Sequence, residues 1–498
     1  MLRIKTVVQN KVLQSTMAAL KHNSPTPIQS LLPQSYHCHE KWQHFLNDQT
    51  SSLNMTSQKA SELLISAKDH AMKGGNISEL DIDTLSLAIG KGWFDENELD
   101  IFERNILPAF RKGPRASSGL PSTSAIISRG YLKKNLMQRL KNVFENKKDF
   151  GVFPDHISIA EILDDLIARN NNQDAAFCAA EWMLQEDWAS SKISNSLSLL
   201  GSWNRAIQLE KYEIDLRCPG EEAEEEEIIR LNFLINPYND LHFDLVSEHH
   251  RVGKTLLSLG HYLEEPNCSL IGAVLFEDFA KLTELFENSQ ATYSMEALDK
   301  FEQLLTEAET KEAVEEKWKP HMEQHIDRVL IDRKISKEEQ SSTVENFKKF
   351  KDQLDSKGKI VKENNFVGAK LTALVQKAVE EEAKRDVAYR EKQLMEEWPQ
   401  LRQKLIQQQL YEAGRTEAIA NSRERIGEIR DKMETLAYFE RKDEIGVFKS
   451  ISERTQKELE EEKLRKQEER KIRRWKKPKV KLEEARSLNK GLYPLTGV

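Results

Sequence analysis

The chain is poor in acid where it begins: no Asp or Glu precedes Glu40, although 82 acidic residues are spread over its 498 positions. What fills the gap is basic and amphipathic. Residues 1–21 carry Arg3, Lys5, Lys11 and Lys21 among Leu2, Ile4, Val7, Val8, Val12, Leu13, Met17 and Leu20, with the hydroxyls of Ser15 and Thr16 between them. This is the composition of a mitochondrial presequence, and the absence of a compact apolar h-region argues against a secretory signal. Residues 1–35 are therefore expected to direct the protein to the mitochondrial matrix.

Other scarcities exclude whole classes. Cysteine occurs only at Cys38, Cys178, Cys218 and Cys268, with no C-x-x-C pair, so neither a disulfide framework nor a zinc ribbon is expected. No apolar run of 18 residues occurs, which leaves no membrane span. Period-2 alternation is almost absent, and 14 Pro and 20 Gly are few for a turn-rich β fold. Positive charge is not in excess either: 74 basic against 82 acidic residues give −8, and losing the four basic residues of 1–21 would take the remainder to −12. The whole chain thus does not attract nucleic acid, and any such contact must be local.

What remains is helix. Residues 144–188 hold two short amphipathic segments separated by an Asn-rich turn, after a Gly151-x-x-Pro154-Asp155 break. In the first, Ile159, Ile162, Leu163, Leu166 and Ile167 form one apolar face at i, i+3, i+4, i+7, i+8; in the second, Ala175, Ala179, Trp182 and Met183 do so. A hairpin of this size cannot cover its own face and needs stacked neighbours, the logic of an α-solenoid. An earlier unit is expected from Leu132, Leu136, Leu140, Val143 and Phe144.

The expected fold is all-α: a short α-solenoid of helical hairpins, then long helices, then a charged helical C-terminal extension. The boundaries are 1–35 presequence, 36–112 N-terminal helical region, 113–124 linker (GPRASSGLPSTS), 125–290 repeat domain, 291–410 long helices and 411–498 charged extension. Within the repeat domain, Glu221, Glu222 and Glu224 to Glu227 form an acidic block read as a solvated loop. Leu371, Leu374, Val375 and Ala378 mark one long-helix face, and Leu394, Trp398, Leu401 and Leu405 another, where Pro399 must bend or start a helix. Residues 451–477 read as a single helix with too few apolar anchors to be stable without something to lie on.

Few motifs suggest chemistry. Val252-Gly253-Lys254-Thr255 matches the end of a phosphate-binding loop, but Glu248 stands where its first Gly should be and no strand precedes it; a close-packed Gly on a helix is the expected reading. His321 and His325 have an i, i+4 spacing able to ligate zinc, yet no third ligand is evident, and His37-Cys38-His39 is too short to surround a metal. No catalytic site, cofactor site or metal site is expected. Residues 463–481 (KLRKQEERKIRRWKKPKVK) differ: eleven Lys or Arg against two Glu, a local +9. Arg465, Lys466, Arg470, Lys471, Arg473, Arg474, Lys476, Lys477, Lys479 and Lys481 are candidate phosphate contacts, and Trp475 a candidate stacking residue.

The hairpin resembles a pentatricopeptide repeat, through the apolar pattern of its first helix, Ala175, and the Pro-Asp closing the preceding unit. At the position where base-reading repeats carry an early polar residue stands Ala160, which cannot hydrogen-bond a base edge. Three stretches are similar to a metazoan family of pentatricopeptide-repeat type, the mitochondrial small-subunit ribosomal protein numbered twenty-seven. They are Phe150–Phe177, Val344–Ile360 (with Phe347, Phe350, Leu354 and the Gly358-Lys359-Ile360 turn) and Leu371–Gln409. Tyr36 to Trp42 adds a shorter match. The resemblance implies a structural component of the small ribosomal subunit, whose partners are its rRNA and other mitochondrial ribosomal proteins. Two other roles stay open: a free mitochondrial RNA-binding factor, and a helical scaffold without RNA.

Overall fold

The structure, a computed structural model, describes residues 30–112, 119–209, 245, 247–287, 291–317, 331–363 and 365–476. Among them the only paired strands are Tyr293–Ser294 and Ile360–Val361, two parallel residues each; everything else regular is helical. The residues divide into two compact units, 1–406 and 407–498.

In the first unit, helix ends follow local chemistry. Ser78 and Asp81 form a reciprocal capping box at the start of Glu79–Lys91, and Gly92 at φ 72° ends it. The Asp155 carboxylate accepts from the Ser158 N–H and starts His156–Ala168, and Asn171 does the same for Asn172–Met183. These two helices are the expected hairpin. Ile159, Leu163, Ala175 and Ala179 are all fully buried, as the apolar spacing requires. Helix Lys192–Gln208 packs on the hairpin's second helix, Glu248–Tyr262 packs on Lys192–Gln208, and Pro266–Leu275 on Glu248–Tyr262. At that last crossing the backbones nearly touch: a Cβ on Gly253 would lie 2.5 Å from the Phe276 nitrogen, and one on Gly272 2.5 Å from the Leu257 nitrogen.

The 113–124 segment needs a correction. Its last four residues are the first turn of helix Pro121–Lys133. Composition alone reads Pro-Ser-Thr-Ser as linker, but Pro suits the first helical turn, where its missing N–H is no loss.

Helix Phe366–Lys392 crosses back over the earlier helices and is fastened to them by polar groups. The Tyr36 hydroxyl donates to Asp386 (3.2 Å), the Lys192 backbone N–H to Glu382 (2.8 Å), and Arg390 to Asp155 (2.7 Å). A π-helical turn, Gln393–Glu397, then leads into helix Trp398–Lys476, with Pro399 in its first turn. Arg402, only 2% exposed, ion-pairs with Asp83, which also accepts from Ser122 and Thr123. Trp398 meets Trp42 and Phe45 at ring-centre distances of 5.8 Å each, and Arg390 lies over the Trp398 ring at 5.1 Å.

The second unit is helix as far as Lys476, and nearly all its described side chains are exposed. Lys449 lies 3.3 Å from Glu434. Fifteen residues of straight helix would separate them by about 22 Å, so the helix bends sharply between them.

Candidate nucleic-acid interface

Helix Trp398–Lys476 carries the basic segment. Lys463, Lys466 and Arg470 fall at i, i+3, i+7, one face of the helix, and all three are exposed. Arg465 and Lys471 are exposed beside that face. Lys466 pairs with Glu462 at 2.6 Å, and this hydrogen bond holds the Glu462 carboxyl below its usual range. Such a surface pair is weak and easily exchanged for another anion. The helical backbone continues through Arg473, Arg474, Trp475 and Lys476, which puts Arg473 and Arg474 at i+3 and i+4 from Arg470; their side chains lie outside the described residues, as do Lys477, Lys479 and Lys481 entirely. Residues 1–29 of the expected presequence, the acidic block, His321 and His325 are likewise outside, whereas residues 30–35 are described and belong to the body: Leu32 is buried, and the Leu31 N–H donates to Asp164 (2.7 Å).

A second feature of the same unit went unread in the sequence. Ile426, Ile429, Met433 and Phe448, each more than half exposed, line a concave surface of about 710 Å³ inside the bend, together with Arg430, Glu434, Lys449 and Ser452. The apolar residues are thin along the sequence; only the bend gathers them.

The other motifs resolve into packing. Gly253, Lys254 and Thr255 sit within helix Glu248–Tyr262, where the Thr255 hydroxyl donates to the Arg251 carbonyl (2.8 Å) and Lys254 lies 4.5 Å from the Phe276 ring centre. No wrapped phosphate loop exists there. His37 and His39 stack at 5.4 Å, and Arg129 joins them to the fold: it donates to the His37 carbonyl (2.5 Å), meets His39 Nδ1 (3.0 Å), and reaches both oxygens of Glu161 (2.7 and 3.0 Å). Burial, then the Arg129 charge, pushes the His39 imidazole down. Burial likewise pushes the Cys178 thiol well up, the behaviour of a packed small side chain. Among the described residues no group of three or more His, Cys, Asp or Glu is placed to hold a metal ion, and no helix there is long and apolar enough to cross a membrane.

One buried cluster has no sequence signal at all. Glu277 lies between Lys334 and His250, at 3.6 Å from the imidazole, and all three side chains are buried. Burial raises the Glu277 carboxyl, but His250 and Lys334 outweigh it and hold it below its usual range. Its members are 57 residues apart or 27 apart, beyond any spacing rule.

A helical body closed by internal ion pairs, extended by an exposed basic helix, is of the class that builds surfaces for assemblies. The comparison with known families makes that particular: residues 4–428 match the family described as mitochondrial 28S ribosomal protein S27, and the chain belongs to that family. It is therefore a mitochondrial protein of the small ribosomal subunit. No curated protein matches the chain.

Proposed function

We propose that the protein is a structural component of the mitochondrial small subunit that binds ribosomal RNA through helix 463–476 and neighbouring ribosomal proteins through the bend at 426–452, in the matrix. The observation that carries this reading is the exposed basic face of Lys463, Lys466 and Arg470. In the first unit the positions in the early turns of helices His156–Ala168 and Lys192–Gln208 are engaged by the chain itself, through Arg390 on Asp155 and Glu382 on the Lys192 N–H. Ala160 is fully buried. A single-stranded RNA read base by base along those helices has no place to lie. RNA contact by the exposed helix is instead a matter of phosphates, which carry no sequence information.

Protein contact is supported by the concavity of Ile426, Ile429, Met433 and Phe448, since contiguous exposed apolar surface marks interaction sites. Sedimentation of mitochondrial lysate tests the assignment. An integral component stays with the small subunit through a high-salt wash; a chain that runs lighter after the wash is a free RNA-binding factor, and the structural reading fails.

A further inference from the structure

Between Ile419 and Leu436 the helix of the second unit carries an apolar row that no described residue covers. Ile419, Ile426 and Met433 recur every seventh position, and Ile429 and Leu436 follow the last two by three, which is the a and d spacing of a coiled coil. All five are exposed, from 43% at Ile419 to 78% at Leu436. Ser422, at the remaining d position, is small and satisfied, its hydroxyl donating to the Ala418 carbonyl (2.7 Å). The row runs for about 26 Å at 1.5 Å per residue, and Phe448 adds a side wall from beyond the bend. Between 422 and 433 every position flanking the row is a cation: Arg423 and Arg430 on one side (e), Arg425 and Lys432 on the other (g). These four are exposed, and none is ion-paired among the described residues. The acids of the same stretch, Glu424, Glu428, Asp431 and Glu434, fall outside those flanks, and Glu434 is engaged by Lys449 (3.3 Å).

We propose that this row is the seat of an amphipathic helix from a neighbouring ribosomal protein, one whose own flanking positions are acidic. An a/d row is covered most completely by another helix with the same spacing, and e and g charges then set which helix it accepts. Apolar burial supplies the larger share of such a contact, and the cations select the partner and steer its approach. A second copy of this chain does not fit. In parallel pairing Arg425 of one copy meets Arg430 of the other, and antiparallel pairing sets e against e and g against g, so cation faces cation either way. RNA fits less well than a helix, because phosphates would neutralise the four cations and leave Ile426, Ile429 and Met433 in water. The inference rests on the protein-contact reading above and gives that partner its chemistry.

The test uses the full chain and two labelled synthetic helices of about three heptads, with Leu at a and d and either Glu or Lys at e and g. Fluorescence anisotropy follows binding. The Glu helix should bind at least about tenfold more tightly than the Lys helix. Changing Arg423, Arg425, Arg430 and Lys432 to Glu should invert that order, and Ile429→Asp should abolish binding of both helices. The melting temperature should stay at the wild-type value in each variant, since every changed position is exposed. Equal affinities, an order that the charge variant fails to invert, or binding that survives Ile429→Asp overturns the inference. In assembled subunits, a photoreactive residue at position 429 should crosslink to a helix of another protein with acidic flanks. A crosslink to a protein segment without such acids overturns the acidic helix and leaves the protein-contact reading standing. A crosslink to RNA or to a second copy, or none at all, overturns both.

Discussion

The first and second units use the same residue type in opposite ways. Arg402 and Arg390 are each 2% exposed and ion-paired to Asp83 and Asp155; Arg465 and Arg470 are exposed on a helix face. In the first unit a guanidinium ties together segments 319 and 235 residues apart. In the second, cations stay in water, available to anions from outside. The lesson is that charge count does not distinguish a fastener from a binding surface, whereas burial and partners do. A chain of net charge −8 can still offer phosphate a local positive surface, because cations such as Arg390 and Arg402 in its body are neutralised internally while those of 463–471 are exposed.

The sharpest way to break this comparison is substitution within each class. Arg402→Ala strands a buried Asp83 and should cost about 3–5 kcal/mol; Arg470→Ala should leave stability within about 0.5 kcal/mol of wild type. Urea denaturation of both variants reads the difference directly, and equal midpoints would erase the distinction. Next in size, Leu163→Ala removes a fully buried side chain and should cost about 2–5 kcal/mol. Leu464→Ala, at a position 59% exposed, serves as its counterpart and should scarcely move the midpoint.

Acid should also separate the units. Asp155 is raised by burial but held lower overall by Arg390 and the Ser158 hydrogen bond, and Glu277 is held low by His250 and Lys334. A carboxyl whose folded value lies below its unfolded value contributes stability that is complete above the unfolded value. That contribution is lost as pH falls through the folded one. The contribution of Asp155 and Glu277 should therefore be lost below about pH 4, where ordinary carboxylates begin to protonate, against the opposite, smaller pull of Glu103 and Glu181, which burial raises. Near-ultraviolet circular dichroism of the buried Trp42, Trp182 and Trp203 follows it, and a melting temperature flat from pH 5 to pH 3 would contradict the assignment. The smallest effect on stability is expected for Phe448→Asp in the bend. It should leave melting unchanged yet weaken incorporation into the subunit, as gradient sedimentation would show.

Local chemistry made part of this legible from residues alone. The i, i+3, i+4 spacing of Ile159, Ile162 and Leu163 marks the buried face, and Asp155 after Pro154 marks the helix start, because both signals act within a turn or two. Trp398 was readable as apolar, but not its seat between Trp42 and Phe45. The pairing of Arg390 with Asp155 and Arg402 with Asp83 has no local signature, since any of many acids could serve. The π-helical turns at Phe102–Ile106 and Gln393–Glu397 insert one residue into an otherwise regular register, which periodicity passes over. The bend between Glu434 and Lys449 is what gathers Ile426, Ile429, Met433 and Phe448, scattered along a charged helix, into one surface. As for the basic face, charge was plain in the sequence, while exposure came only with the fold.

The central claim is that the exposed basic helix, and not the helical body, binds RNA phosphate. It is tested most directly by the salt dependence of RNA binding in the full chain, wild type against a variant with Lys463, Lys466, Arg470 and Lys471 changed to Glu. Wild type should show affinity falling steeply with salt and nearly independent of RNA sequence. The variant should bind far more weakly with a flatter slope, at an unchanged melting temperature. Equal slopes and affinities for the two proteins would contradict the account and return RNA binding to the body.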